Sequence, residues 1–140
     1  MLFRSVRSQL ATIKPGDYIA FLNYIEETPE TDQRLERIRT YLRDTTRCAT
    51  TIGYGPRFLH STGQLHKGGP DTGVFFQLGA RDKSDIQVPG EAYSFSVLKE
   101  AQALGDFRAL KARGRRVVRI DLGDDLLSGL DRLEEALRSS

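Results

Sequence analysis

The chain has 140 residues, of which 39% are hydrophobic and 29% charged, with 21 basic side chains against 19 acidic ones for a net charge of +2. That length suits a single domain over 1–140 and a core that needs no staples, and the composition excludes a disordered chain. So even a charge excludes a protein whose main task is to grip a nucleic-acid backbone.

No apolar run approaches the ~18 residues of a membrane helix, so no membrane partner is expected. The start, Met1-Leu2-Phe3-Arg4, lacks the apolar stretch of a secretory signal. The lone Cys48 excludes an internal disulfide framework and any all-cysteine metal site. A cytoplasmic protein is the expectation.

Residues 2–13 carry Leu2, Phe3, Val6, Leu10 and Ile13 at helical spacing, a stripe that is a candidate contact surface for a symmetric dimer. Lys14-Pro15-Gly16-Asp17 ends it, because proline blocks the helix and Pro-Gly favours a turn. Tyr18 to Ile25 is an almost continuous apolar run with aromatic and β-branched members, which predicts a strand buried on both faces. Thr28-Pro29 opens a helix: threonine caps, and proline fits the first turn. Leu35, Ile38 and Leu42, with Tyr41 beside them, form its predicted inner face.

Cys48 to Ile52 and Thr72 to Leu78 are the next predicted strands. Ser94 to Leu104 reads as a helix with Phe95, Leu98, Ala101 and Gln102 along it, broken at Gly105-Asp106 and continued by a short helix through Leu110. Arg115 to Leu122 is a fourth strand. Asp124 caps a last helix, in which Leu126, Leu127, Leu130, Leu133 and Leu137 recur. Alternating strands and helices predict an α/β fold, a layered αβα domain with a mostly parallel sheet of about four strands. Such sheets bind ligands at the carboxyl ends of their strands, which draws attention to the segment beginning at Gly53.

Residues 53–70, GYGPRFLHSTGQLHKGGP, hold both histidines of the chain, His60 and His66, and five glycines. They hold no carboxylate, and none occurs between Asp44 and Asp71. Arg57 and Lys67 are permanent cations; Ser61, Thr62 and Gln64 are neutral donors. Glycines such as Gly68 and Gly69 let backbone N–H groups approach an anion, arginine offers a planar fork to oxyanions, and hydroxyls and amides read sugar hydroxyls. A neutral histidine moves protons near pH 7. This mixture suits a phosphorylated sugar.

The plainer reading is a loop that is only a loop, since neither GxxxxGK[ST] nor GxGxxG is present. The two histidines have no cysteine or carboxylate near them, so no metal is read here. Cys48 reads as a small core residue rather than a nucleophile. Tyr54 and Phe58 read as packing residues that fix the loop.

The run from Ala49 to Pro70, ATTIGYGPRFLHSTGQLHKGGP, resembles the C-terminal part of bacterial bifunctional transaldolase/glucose-6-phosphate isomerase fusions. Ile86-Gln87-Val88-Pro89-Gly90-Glu91, Ala101 to Asp106, Pro15 to Tyr18 and Gly114 to Val117 fit the same pattern, so the resemblance covers nearly the whole chain. It also reaches glucose-6-phosphate isomerases in general, built from sugar-isomerase domains with a Ser-Thr-Asp-Gln-His stretch. Here Ser61-Thr62-Gly63-Gln64-Leu65-His66 departs from it: Gly63 replaces the acid, and Leu65 adds a residue before the histidine.

The resemblance implies a sugar-isomerase-like fold. It also implies chemistry that interconverts glucose 6-phosphate and fructose 6-phosphate through an enediol, with no cofactor. His66 is the first candidate for ring opening and His60 the second, with Lys67 as a nearby cation. Arg57, Ser61, Thr62, Gln64, Gly68 and Gly69 would hold the substrate. The family's glutamate base matches no carboxylate identified in this sequence, and its C-terminal lysine context is absent before Ser140.

The chain therefore reads as a split or terminal unit of a larger isomerase, working with a missing isomerase or transaldolase chain or as a homo-oligomer. The alternative is a non-catalytic module that binds a sugar phosphate or serves assembly.

Overall fold

The computed structural model describes residues 2–55, 70–81 and 89–139. In chain order the elements are α1 (Leu2–Leu10), β1 (Tyr18–Tyr24), α2 (Pro29–Thr46), β2 (Ala49–Tyr54), β3 (Gly73–Gly79), α3 (Phe95–Ala112), β4 (Arg116–Asp121) and α4 (Leu126–Arg138). The strands form a four-stranded sheet in the order β2-β1-β3-β4, and every neighbouring pair is parallel. The fold is α/β, with helices on both faces of the sheet.

Both faces are covered, which is why β1 reads as a continuous apolar run. On one face, Ile19 and Phe21 of β1, Val74, Phe76 and Leu78 of β3, and Ile120 of β4 meet Val6, Leu35, Ile38, Leu42, Leu130 and Leu133 from α1, α2 and α4. Phe21 and Phe76, paired across the strands, stack with ring centroids 5.1 Å apart. On the other face, Ala20, Leu22, Tyr24, Phe75 and Val117 meet Ala103 and Leu110 of α3.

The described part of the 2–13 stripe is used inside the domain. Val6 is fully buried, and Leu10 and Ile13, each partly exposed, pack on the same core. Gln9, one residue before the end of α1, donates from its amide to the carbonyls of Phe75 (2.9 Å) and Arg116 (2.8 Å), which ties the helix across β3 and β4.

Three local expectations change. The break at Gly105-Asp106 does not occur: α3 runs through both residues. A mid-helix glycine costs about 1 kcal/mol relative to alanine, and packing of Ala103, Asp106 and Leu110 against the sheet outweighs it. The inner face of α3 is therefore set by those three residues, and Ala101 is exposed. The cap of α4 is Asp125, whose carboxylate accepts from the Ser128 amide at 3.3 Å, rather than Asp124. Lastly, the second strand begins after Cys48 and continues through Gly53 to Tyr54, because Leu22 and Asn23 of β1 pair with those two residues. Cys48 is buried, with its thiol toward the carbonyls of Lys14 and Thr46, in the core role expected of it.

Candidate functional site

Strand order creates the site. From β1 the chain steps outward to β2, returns past β1 to β3, and continues to β4. The segment after β1 leads to α2, which packs on the face that α1 and α4 share. The segment after β3 leads to α3 on the opposite face. The two exits part from each other at the carboxyl edge, and that divergence opens a crevice where open α/β sheets bind ligands.

A cleft of about 500 Å³ lies there. Ile25, Glu26, Thr28, Glu30 and Thr31 line it from the β1–α2 turn, and Ala80 and Arg81 from the end of β3. Lys99 enters from α3, and Asp124 to Leu127 enter from the start of α4. The first turns of two helices thus border one cavity. Thr28 caps α2 by accepting from the Thr31 amide at 3.1 Å, and its hydroxyl also bonds that of Thr31 at 2.9 Å. Helix N-termini carry partial positive charge and favour anions.

The charges of the cleft are partly committed to one another. Arg81 and Asp124 form an ion pair at 3.0 Å, and Asp125 is occupied as a cap. Glu30 lies in the first turn of α2, where the helix dipole favours a carboxylate. Glu26, just past β1, is exposed. Around one cavity the arrangement gathers two cations, Arg81 and Lys99, four carboxylates, Glu26, Glu30, Asp124 and Asp125, and the hydroxyls of Thr28 and Thr31.

Several buried polar side chains stand just inside this edge. Asn23 of β1 is fully buried, and among the described residues neither end of its side-chain amide has a hydrogen-bond partner. An unsatisfied buried group costs roughly 1–3 kcal/mol, a cost that leucine at the same place would avoid. Its backbone carbonyl accepts from the Gly55 amide at 2.8 Å, which holds Gly55 at the carboxyl edge.

On the other face, burial and the neighbouring Asp106 carboxylate push the Tyr24 phenol well above its usual range, so it stays a proton donor. Gln77 donates to the Ala103 carbonyl at 2.8 Å. These contacts set α3 in register on the sheet, and Lys99 lies on that helix.

The residues singled out by sequence, Arg57, His60, Ser61, Thr62, Gln64, His66, Lys67, Gly68 and Gly69, lie outside the described residues. Their segment leaves β2 beside Gly55, at the carboxyl edge. Pro70 to Thr72 lead into β3 from the amino edge, where the Tyr18 amide donates to the Thr72 carbonyl at 2.9 Å and Asp71 pairs with Arg115 at 3.5 Å. Tyr54 donates its hydroxyl to the Asp32 carboxylate at 2.5 Å, which joins the end of β2 to the first turn of α2.

Sequence reading passed over Glu26, Arg81 and Lys99, and it took Thr28 and Asp124 only as caps. The signal available was the Thr-Pro cap directly after a buried strand. The order of the strands, which brings Arg81 beside that turn, has no local signature.

No protein-family model matches the chain, and no curated protein does. Among solved structures it is similar to the crystal structure of hypothetical protein TT0462 from Thermus thermophilus. The TM-score is 0.64 at 16% identity, over 97% of this chain and 43% of that one. The chain thus spans less than half of that protein's length, and at this identity the likeness concerns the fold alone. Among the described residues, no helix is long and apolar enough to cross a membrane.

Proposed function

We propose that the domain binds a small phosphorylated sugar in the carboxyl-edge cleft. One coincidence carries the reading. The crevice opened between β1 and β3 by the strand order is the same cavity that Thr28, Arg81 and Lys99 line. The glycine-rich, carboxylate-free composition of 53–70 supports it, because Gly55 stands at that edge. Phosphate oxygens would take the arginine fork and the lysine charge, and the hydroxyl of Thr28 suits a sugar hydroxyl.

An amide-resolved NMR titration with fructose 6-phosphate, with inorganic phosphate as control, tests this. Resonances of Glu26, Thr28 and Arg81 should shift at much lower concentration of the sugar phosphate. Charge-assisted hydrogen bonds are worth roughly 1.5–3 kcal/mol, so Arg81→Ala with Lys99→Ala should weaken binding about tenfold or more. Unchanged binding in that double variant would overturn the assignment.

A second reading is favoured by Glu26. The sequence offered no carboxylate for the base of a sugar-phosphate isomerase, and Glu26 lies in the cleft at the end of β1. On this reading the chain is a unit of a glucose-6-phosphate isomerase. Glu26 moves the proton between carbons 1 and 2, and His66 or His60 opens the ring. The rest of the site would come from an isomerase or transaldolase chain or from a second copy, in the cytoplasm. Glu26→Gln should then lower isomerisation in the reconstituted enzyme by ~10²–10⁴-fold with little change in KM. Full activity in that variant would rule Glu26 out as the base.

A further inference from the structure

We propose that Asp124 sets the anion affinity of the cleft by holding Arg81 in the free protein. This inference rests on the cleft being the anion site. Two backbone bonds join the loops that carry the pair: the Leu122 amide donates to the Gly79 carbonyl at 2.7 Å, and the Arg81 amide donates to the Gly123 carbonyl at 3.2 Å. The exits of β3 and β4 are thereby fastened side by side. The guanidinium and the carboxylate are left at the mouth of one cavity, 3.0 Å apart.

Both side chains are about three-quarters exposed, at 75% and 76%. An ion pair so exposed is weak and readily exchanged. A phosphate oxygen offers the guanidinium the same geometry with more charge. Ligand binding then proceeds by exchange: the Arg81 fork leaves Asp124 for the incoming oxyanion, and Asp124 turns to water. The carboxylate acts twice, as a competitor for Arg81 and as a like charge beside the ligand. Affinity in this cleft is accordingly held below what its cations alone would give.

The test is a binding cycle on the full chain with fructose 6-phosphate, read by calorimetry at low and high salt, using Asp124→Asn, Arg81→Ala and the double variant. Asp124→Asn should tighten binding roughly three- to fivefold at low salt, the scale of one exposed ion pair, and the gain should shrink as salt screens it. In the Arg81→Ala background the gain should fall by more than half, because the competitor has lost its target.

An equal gain in both backgrounds would overturn the exchange and leave simple repulsion. No gain in either would remove Asp124 from the account altogether. If the unaltered protein and Asp124→Asn both fail to bind, the cleft itself is not the anion site, and the inference falls with the binding assignment. Circular dichroism of each variant confirms that an exposed substitution left the fold intact.

Discussion

Replacing Gly129 with alanine is expected to destabilise the domain by about 2–3 kcal/mol, although the same change would stabilise an isolated helix by about 1 kcal/mol. Gly129 lies in the first turns of α4 and is buried. A Cβ built there would stand 2.2 Å from the Leu122 carbonyl oxygen and 2.8 Å from the Leu122 Cβ. The oxygen belongs to backbone just after β4, which Arg132 also holds through a hydrogen bond at 3.2 Å. Neither partner can yield as the end of a flexible side chain would. The helix must move away from the sheet, taking Asp124 and Asp125 at the cleft with it.

Thermal and urea unfolding check this directly. Gly105→Ala is the control: it lies in α3 with nothing within 4 Å of its would-be Cβ, so it should be neutral or slightly stabilising. A Gly129→Ala protein as stable as the parent would mean that α4 does not approach β4 as closely as described.

The second large effect is at the amino edge of the sheet. Asp17→Asn should cost about 1.5–3 kcal/mol near neutral pH, the range for hydrogen bonds to charged groups. The Asp17 carboxylate accepts from Arg116 Nη1 at 2.8 Å and from the Lys14 amide at 2.7 Å. The same Arg116 nitrogen donates to the Thr12 carbonyl at 2.7 Å. Asp17 is 8% exposed and Arg116 23%, so water screens this pair far less than it screens the exposed Arg81–Asp124 pair.

The hydrogen bond from Arg116, helped by the Lys14 amide, holds the Asp17 carboxyl below the usual carboxylate range even though burial opposes it. The unfolded carboxyl titrates near pH ~3.9. A lowered folded value means that the stabilisation is fully present above that pH and is lost as pH falls through the folded value beneath it. Urea midpoints measured from pH 7 down to pH 2 should show the parent losing this increment on the acid side. Asp17→Asn should lack it throughout, so the two curves converge at low pH. Parallel curves would show that the pair contributes nothing through its charge.

Much of this molecule is legible locally. The buried run at β1 is continuous because both faces of the sheet are covered. Thr28-Pro29 marks the start of α2 through an interaction that spans three residues. The leucine spacing of α4 identifies its inner face, since Leu130, Leu133 and Leu137 all end up buried. In each case the cause lies within a turn or two of chain, and short-range sterics and hydrogen bonding express it in the sequence itself.

Other features are decided only by the tertiary structure. Gly105-Asp106 looks like a helix break by propensity, yet α3 continues because Asp106 and Ala103 meet Tyr24 and Gln77 across 26 residues or more of intervening sequence. Asp124 and Asp125 are equally good caps by type; in the fold Asp125 accepts from the Ser128 amide while Asp124 pairs with Arg81, 43 residues away in the chain. The cleft depends on strand order above all. Placing β1 between β2 and β3 brings Glu26, Arg81 and Lys99 to one cavity from three separate elements. A sequence states which residues are apolar, charged or able to cap. Which of them become neighbours is settled when long-range burial selects one order of strands, and side chains far apart in the chain carry no local mark of it.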